Sequence, residues 1–200
     1  MKLARYVVLL AASMLLVQQA QAMTIKLNGG FVRMSGTVID TDCDTLKKIL
    51  AEHKGKVFSV ALRNSFGGDA DAGYCVGKTI REYGLATRIE GFCESSCSRM
   101  WLGGVRRYLS WPGSHVGLHG NYDDKGKLLP EAPARLRAWI PEYAPNVNRG
   151  LMNQWTELPI NRDMMVFYKT RAELCHRALP RPNCARLPGF NAKNAGLSVE

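Results

Sequence analysis

The chain has 200 residues, 46% of them hydrophobic and 22% charged, with a formal net charge of +10. That length suffices for one domain with a substantial core. The basic residues are scattered, apart from Arg106-Arg107 and a basic C-terminal third, and no nucleic-acid motif accompanies them, so the charge reads as a solvated surface without a nucleic-acid partner.

At the N-terminus, Lys2 and Arg5 precede an apolar run over residues 6–17, and Ala20-Gln21-Ala22 follows. A charged start, an apolar segment and an A-x-A site make a signal peptide over residues 1–22. The mature chain is then one domain, residues 23–200, starting at Met23, and its net charge falls to +8 once Lys2 and Arg5 are removed. The apolar run is shorter than the roughly 20 residues that span a bilayer, and no later stretch is long enough. The expected location is periplasmic or secreted, without stable membrane insertion after cleavage.

Residues 24–27 and 31–39 are predicted strands around the turn Asn28-Gly29-Gly30. Residues 44–53 predict a helix with Leu46, Ile49 and Leu50 as its apolar stripe and Thr41 or Asp42 as cap. Residues 56–63 read as a buried strand running into "NSFGGD". A second helix carries Ala72, Val76, Thr79, Ile80 and Tyr83 on one face and stops at Gly84. Residues 85–92 make the next strand, residues 95–104 a short helix closing on glycines, and residues 106–111 and 114–120 two short strands. Residues 121–133 form a polar loop, residues 134–143, 148–158 and 170–179 amphipathic helices, and residues 180–200 an irregular tail.

The alternation of strand and helix in the middle of the chain predicts parallel strands with right-handed crossovers. In such sheets functional groups collect beyond the C-terminal strand ends. Residues 64–69, residues 91–96 and His119 all fall there, so they are candidates for one crevice.

The six cysteines, Cys43, Cys75, Cys93, Cys97, Cys175 and Cys184, all remain after signal removal. An even count in an exported chain predicts up to three disulfides, with connectivity open. Cys175 and Cys184, separated by the turn "HRALPRPN", are the strongest single pair. Cys93-x-x-x-Cys97 and Cys175-His176 lack a second ligand pair, so no metal site is expected.

Singly, each polar candidate also has an ordinary reading. Gly67-Gly68 serve a turn, or they present N–H groups to an oxyanion. Ser95 and Ser96 cap a helix, or one of them points its hydroxyl into the crevice. Neither G-x-G-x-x-G nor G-x-S-x-G is present. His115 and His119 fall on one face of a strand.

Together they are more informative. Ser65-Phe66-Gly67-Gly68, a helix, Gly91-x-x-x-Ser95 opening a helix, and Val116-Gly117-Leu118-His119 follow in one order. This order resembles the Clp protease proteolytic subunit and its relatives in the Clp/crotonase-like superfamily, which includes signal peptide peptidase A. The resemblance covers roughly residues 57–120, with a fainter echo to about residue 175. It is nearest to exported Clp-like proteins with a Cys-x-Ser-x-Cys segment.

The resemblance implies an α/β fold, a repeated ββα superhelix with a parallel sheet and a helical C-terminal part. It implies an ATP-independent serine endopeptidase acting on peptides or proteins, without cofactor. Ser95 would be the nucleophile, His119 the base, and the N–H groups of Gly68 and Ser96 the oxyanion hole. The third member would be Asp163, in the family-like segment "NRDMMVFYKTRAEL", or alternatively Glu157. Phe66 stands where the family has proline. Cys93 and Cys97 either clamp the turn together or pair with Cys43 or Cys75. The resemblance further implies a homo-oligomer built partly on residues 131–175. No ATPase partner is expected, because the chain carries no ATP-binding motif. The alternative is a non-catalytic Clp-like binding or assembly protein of the cell envelope, which the imperfect acid position favours. A third possibility, acyl transfer from CoA, fits the fold type but not export.

Overall fold

A glycine turn joins the first two strands. Strands β1 (Thr24–Asn28) and β2 (Phe31–Ser35) pair antiparallel across Gly29, whose φ of 60° suits the tight reversal. The structure, a computed structural model, describes residues 22–176 and 183–199, so the signal segment lies outside the described residues apart from Ala22.

Helix α1 (Asp42–Glu52) follows, burying Leu46 and Leu50, and the Asp42 carboxylate accepts the Ile39 N–H at 2.8 Å to set its start. Strand β3 (Ser59–Ser65) leads into helix α2 (Ala70–Glu82), capped by Asp69, whose side chain accepts the Ala72 N–H at 2.7 Å. Tyr83, expected on the buried face, is 43% exposed, because the helix ends at Glu82 and Tyr83 is its C-cap. Strand β4 (Ala86–Glu94) and helix α3 (Ser96–Leu102) come next, then the short strands β5 (Arg107–Leu109) and β6 (His115–Leu118).

Strands β2, β3 and β4 are parallel neighbours, as the alternation predicts. Strand β4 then forks. Its first half (Thr87, Arg88, Ile89) pairs with β5, and its last three residues pair with β6, in both cases parallel. Gly91, with φ 94°, lies between the two halves, where a Cβ would stand 2.0 Å from the Asn64 side-chain oxygen. The fork opens the sheet at its C-terminal end.

The polar loop leads to helices α4 (Ala132–Tyr143) and α5 (Arg149–Thr156), the latter capped by Asn148. The chain then departs from the sequence expectation. A helix is expected over residues 170–179, of which 177–179 lie outside the described residues; in the described part, strands β7 (Asp163–Tyr168) and β8 (Ala172–His176) form a hairpin instead. The expected irregular tail contains β9 (Asn183–Arg186), paired antiparallel to β8. The alternate residues Met165 and Phe167 are buried in the main core and Met164 and Val166 on the other face, so β7 is apolar on both sides and prefers a strand environment.

Among the described residues the sheet has nine strands, ordered β1-β2-β3-β4-β6-β7-β8-β9 with β5 beside β4. Helices α2 and α3 meet at glycine. A Cβ on Gly73 would stand 2.6 Å from the Ser96 carbonyl oxygen, and one on Gly77 would stand 2.5 Å from that of Arg99. All six cysteines are bonded, as Cys43–Cys75, Cys93–Cys97 and Cys175–Cys184. Two of the pairs the sequence left open are thereby decided, and the third is the expected one.

Candidate functional site

Strand β4 ends at Glu94 and α3 starts at Ser96, so a single residue turns the chain. That residue, Ser95, has φ 54° and ψ −127°. A residue with a Cβ adopts positive φ only at a cost on the order of 1–3 kcal/mol. Local bonds hold it there. The Ser95 N–H donates to the Gly117 carbonyl at 3.1 Å, and its own carbonyl accepts from the Ser98 hydroxyl and from Arg99 Nη1, each at 2.6 Å. The Cys93–Cys97 disulfide closes around it, with Cα atoms 5.3 Å apart.

The β3–α2 turn folds over this elbow. At Gly67, φ is 91° and an added Cβ would stand 2.6 Å from Ser95 Cβ and 2.9 Å from the Ser96 nitrogen. Only glycine permits that approach. At Gly68, φ is 146°, and the flanking bonds Val38 N–H to Gly67 oxygen and Asp69 N–H to Val38 oxygen, both 2.9 Å, fix the peptide. Gly68, Ser95, Ser96 and His119 all line one cavity of about 520 Å³. This is shared-cavity placement, a coarser relation than the nucleophile–base contact that the resemblance implies.

Arg99 connects the two halves of the site. It is 2% exposed, and its guanidinium reaches both the Ser95 carbonyl and, through Nη2, the His119 carbonyl at 2.7 Å, the Gly120 carbonyl at 3.3 Å and Asn121 Oδ1 at 3.0 Å. Burial pushes its pKa down from the usual arginine value. Tyr122 lies against the His119 ring at 4.9 Å, donates its hydroxyl to the Leu158 carbonyl at 2.9 Å and accepts the Gly120 N–H at 3.3 Å. Burial raises its phenol to about 12.

Neither candidate acid lines the cavity. Asp163 is 7% exposed, and its carboxylate pairs with His176 Nδ1 at 2.9 Å. Glu157 is the C-cap of α5, exposed, and bonded to Arg137. The carboxylates that do line the cavity are Asp69, Asp123 and Glu94. Of these Glu94 is 1% exposed, and its Oε1 lies 3.1 Å from His115 Nε2.

Sequence reasoning missed Arg99, Tyr122 and Glu94. A basic residue in the apolar run "RMWL" and an acidic one within "FCES" were the available signals, since neither type is buried without a specific partner. The group Glu173, Cys175 and Cys184 has metal-like spacing, but both sulfurs are joined in the disulfide and neither is a thiolate.

A forked parallel sheet of repeated ββα elements, with an antiparallel extension and a glycine-wrapped elbow at the strand ends, defines a Clp/crotonase-like α/β fold. Comparison with solved structures reaches the same class. ClpP1 from Listeria monocytogenes superposes with a TM-score of 0.55 at 15% identity, over 84% of this chain and 88% of that one. The 1510-N membrane-bound stomatin-specific protease is similar with a TM-score of 0.49 at 15% identity, over 62% of this chain and 66% of that one. A methylmalonyl CoA decarboxylase is similar with a TM-score of 0.48 at 11% identity, over 70% of this chain and 61% of that one. In the last two cases the match spans less than two thirds of the other protein. No protein-family model and no curated protein matches the chain. At these identities the likeness is one of fold.

Proposed function

We propose that the protein is an exported serine hydrolase, an ATP-independent Clp-like endopeptidase in which Ser95 attacks and His119 takes its proton. The observation that carries this reading is the Ser95 elbow, a non-glycine residue at φ 54° on the wall of the cavity that His119 also lines. Serine is a weak nucleophile and needs a base. Negative charge developing on a peptide carbonyl would be received by the N–H groups of Gly68 and Ser96, which supply typically about 3–4 kcal/mol per donor in such sites. Three disulfides support folding in an oxidising compartment, periplasmic or extracellular. Among the described residues no helix is long and apolar enough to cross a membrane. Assembly as a homo-oligomer through residues 131–175 belongs to the same proposal.

The second reading is a non-catalytic Clp-like binding or assembly protein. A specific observation favours it: neither candidate acid lines the cavity, and each is engaged by another side chain, Asp163 by His176 Nδ1 at 2.9 Å and Glu157 by Arg137. The fold-level likeness also backs this reading better, because a shared fold carries no catalytic residue with it. A fluorophosphonate probe on the purified mature protein separates the two. Hydrolysis requires labelling at Ser95 that is lost in both Ser95→Ala and His119→Ala, with the double variant little worse than either. Ser96→Ala should label nearly as wild type, since only its backbone N–H is used. An unlabelled wild type, with no turnover of any peptide tried, establishes the binding reading instead.

A further inference from the structure

We infer that Glu94 is the carboxylate that positions His119. The inference rests on the hydrolase reading and names the missing third member of its machinery. Three observations converge on Glu94. It is the register partner of Gly117 on β6, so the two residues share a face of the sheet. His115 and His119 lie two residues to either side of Gly117; alternation directs His115 toward that same face, and His119 is the first residue beyond the end of β6. Gly117 has no side chain, and a Cβ there would stand 2.1 Å from Met164 Sδ and 2.9 Å from Glu94 Cγ, so the glutamate stem and the Met164 thioether share the space over the glycine between the two histidines.

The carboxylate is therefore central to a His115–Glu94–His119 row. His115 Nε2 holds Oε1 at 3.1 Å. The His115 ring is itself wedged between Phe92, at 6.0 Å, and Tyr168, at 4.9 Å, which fixes that end of the row. In the inferred role, the other oxygen is the one that would serve the His119 ring. Glu94 and His119 are 1% and 5% exposed and line the same cavity as Ser95. The Glu94 carboxylate would fix the tautomer of the neutral His119 ring, and when Ser95 passes its hydroxyl proton to His119 the same carboxylate would stabilise the imidazolium that forms. Other groups about His119 include the Tyr122 ring, on which Asp163 acts in turn, the Arg99 guanidinium on the His119 carbonyl oxygen, and Asp69 and Asp123 on the cavity wall. Each is unchanged by substitution at Glu94.

The test substitutes Glu94→Gln, which keeps size and removes charge, and reads two signals. Imidazole nitrogen NMR reports the His119 tautomer, and fluorophosphonate labelling reports Ser95 reactivity against pH. We expect the single His119 tautomer of the wild type to be lost and labelling to fall on the order of 10²-fold or more. The acid limb of any residual labelling should move to lower pH, because the imidazolium loses its neighbouring anion. A labelled wild type with an unaltered Glu94→Gln overturns the inference and leaves the hydrolase reading standing. An unlabelled wild type whose His119 tautomer still depends on Glu94 supports the inference and sinks the hydrolase reading. If only the His115 signals respond, Glu94 serves His115 alone and the inference fails. Should Glu94→Gln not fold, Glu94→Asp retains the charge at shorter reach. Loss of the His119 signature there, with labelling down tenfold or more, supports the inference, and wild-type behaviour on both counts overturns it.

Discussion

Ser95 stores conformational strain at the point where the chain turns from β4 into α3, and glycine would adopt the same φ without it. Ser95→Gly should therefore raise the melting temperature by about 2–4 °C, corresponding to about 1 kcal/mol in a chain of this size. It should also abolish probe labelling. Thermal denaturation of the two proteins checks this, and an unchanged or lower melting point would mean that the elbow is not strained. Tyr122 makes a second residue-scale claim. Its phenol is raised from 10.0 to about 12 by burial, so the stability tied to it is fully present below pH 10 and is lost as pH rises toward 12. Arg107 opposes this, since burial lowers it to about 10 and its deprotonation relieves a buried charge as pH rises. Comparing wild type with Tyr122→Phe at each pH cancels the arginine. Urea unfolding between pH 10 and 12 should show the wild type losing its advantage over Tyr122→Phe. Ser95 and His119 were legible as candidate site residues because their order along the chain carried the resemblance. Glu94 and Arg99 were not, because a lone charge in an apolar run has no meaning until register and packing give it neighbours.

At the scale of elements, two disulfides do different work. Cys43–Cys75 ties α1 to α2 across 32 positions, whereas Cys93–Cys97 spans four and encloses the elbow. Loop-closure entropy gives about 3.7 kcal/mol for the first and about 2.1 kcal/mol for the second. Replacing Cys43 and Cys75 together by alanine should thus cost more stability, while replacing Cys93 and Cys97 should cost more Ser95 labelling. Urea melts and labelling rates on the two double variants check both orders, and parallel losses in the two assays would contradict the division. The elements themselves were mostly readable, because periodicity and glycine punctuation mark β1 through β6 and α1 through α5. The error at residues 170–179 has a physical cause. "AELCH" has helical propensity, but β7 offers it an open edge, and pairing along five residues outweighs the intrinsic preference.

For the whole molecule, the assembly proposal predicts a mass several times that of one chain. Light scattering on the mature protein at micromolar concentration should report it, and a monomer at that concentration would refute it. The sheet continues from the parallel strands through β6 into the antiparallel β7, β8 and β9, and that extension carries Asp163 to His176. A sequence motif can place an aspartate at a plausible distance along the chain, but it does not say which side of a strand that aspartate faces.

The sequence by itself determined the alternating strand–helix core with parallel strands, the order of Ser95 and His119 and the glycine turn at Gly67-Gly68, and it marked Cys175–Cys184 as the strongest pair. These depend on local conformation and on periodicity along the chain, which short stretches encode directly. Only the tertiary structure decided the other two disulfides, the burial of Arg99 between the Ser95 and His119 carbonyls, and the placement of Glu94 over Gly117. Those are long-range contacts, set by strand register, by how helices pack and by how closely backbones approach at glycine, and one residue of slip in β4 would turn Glu94 to the opposite face.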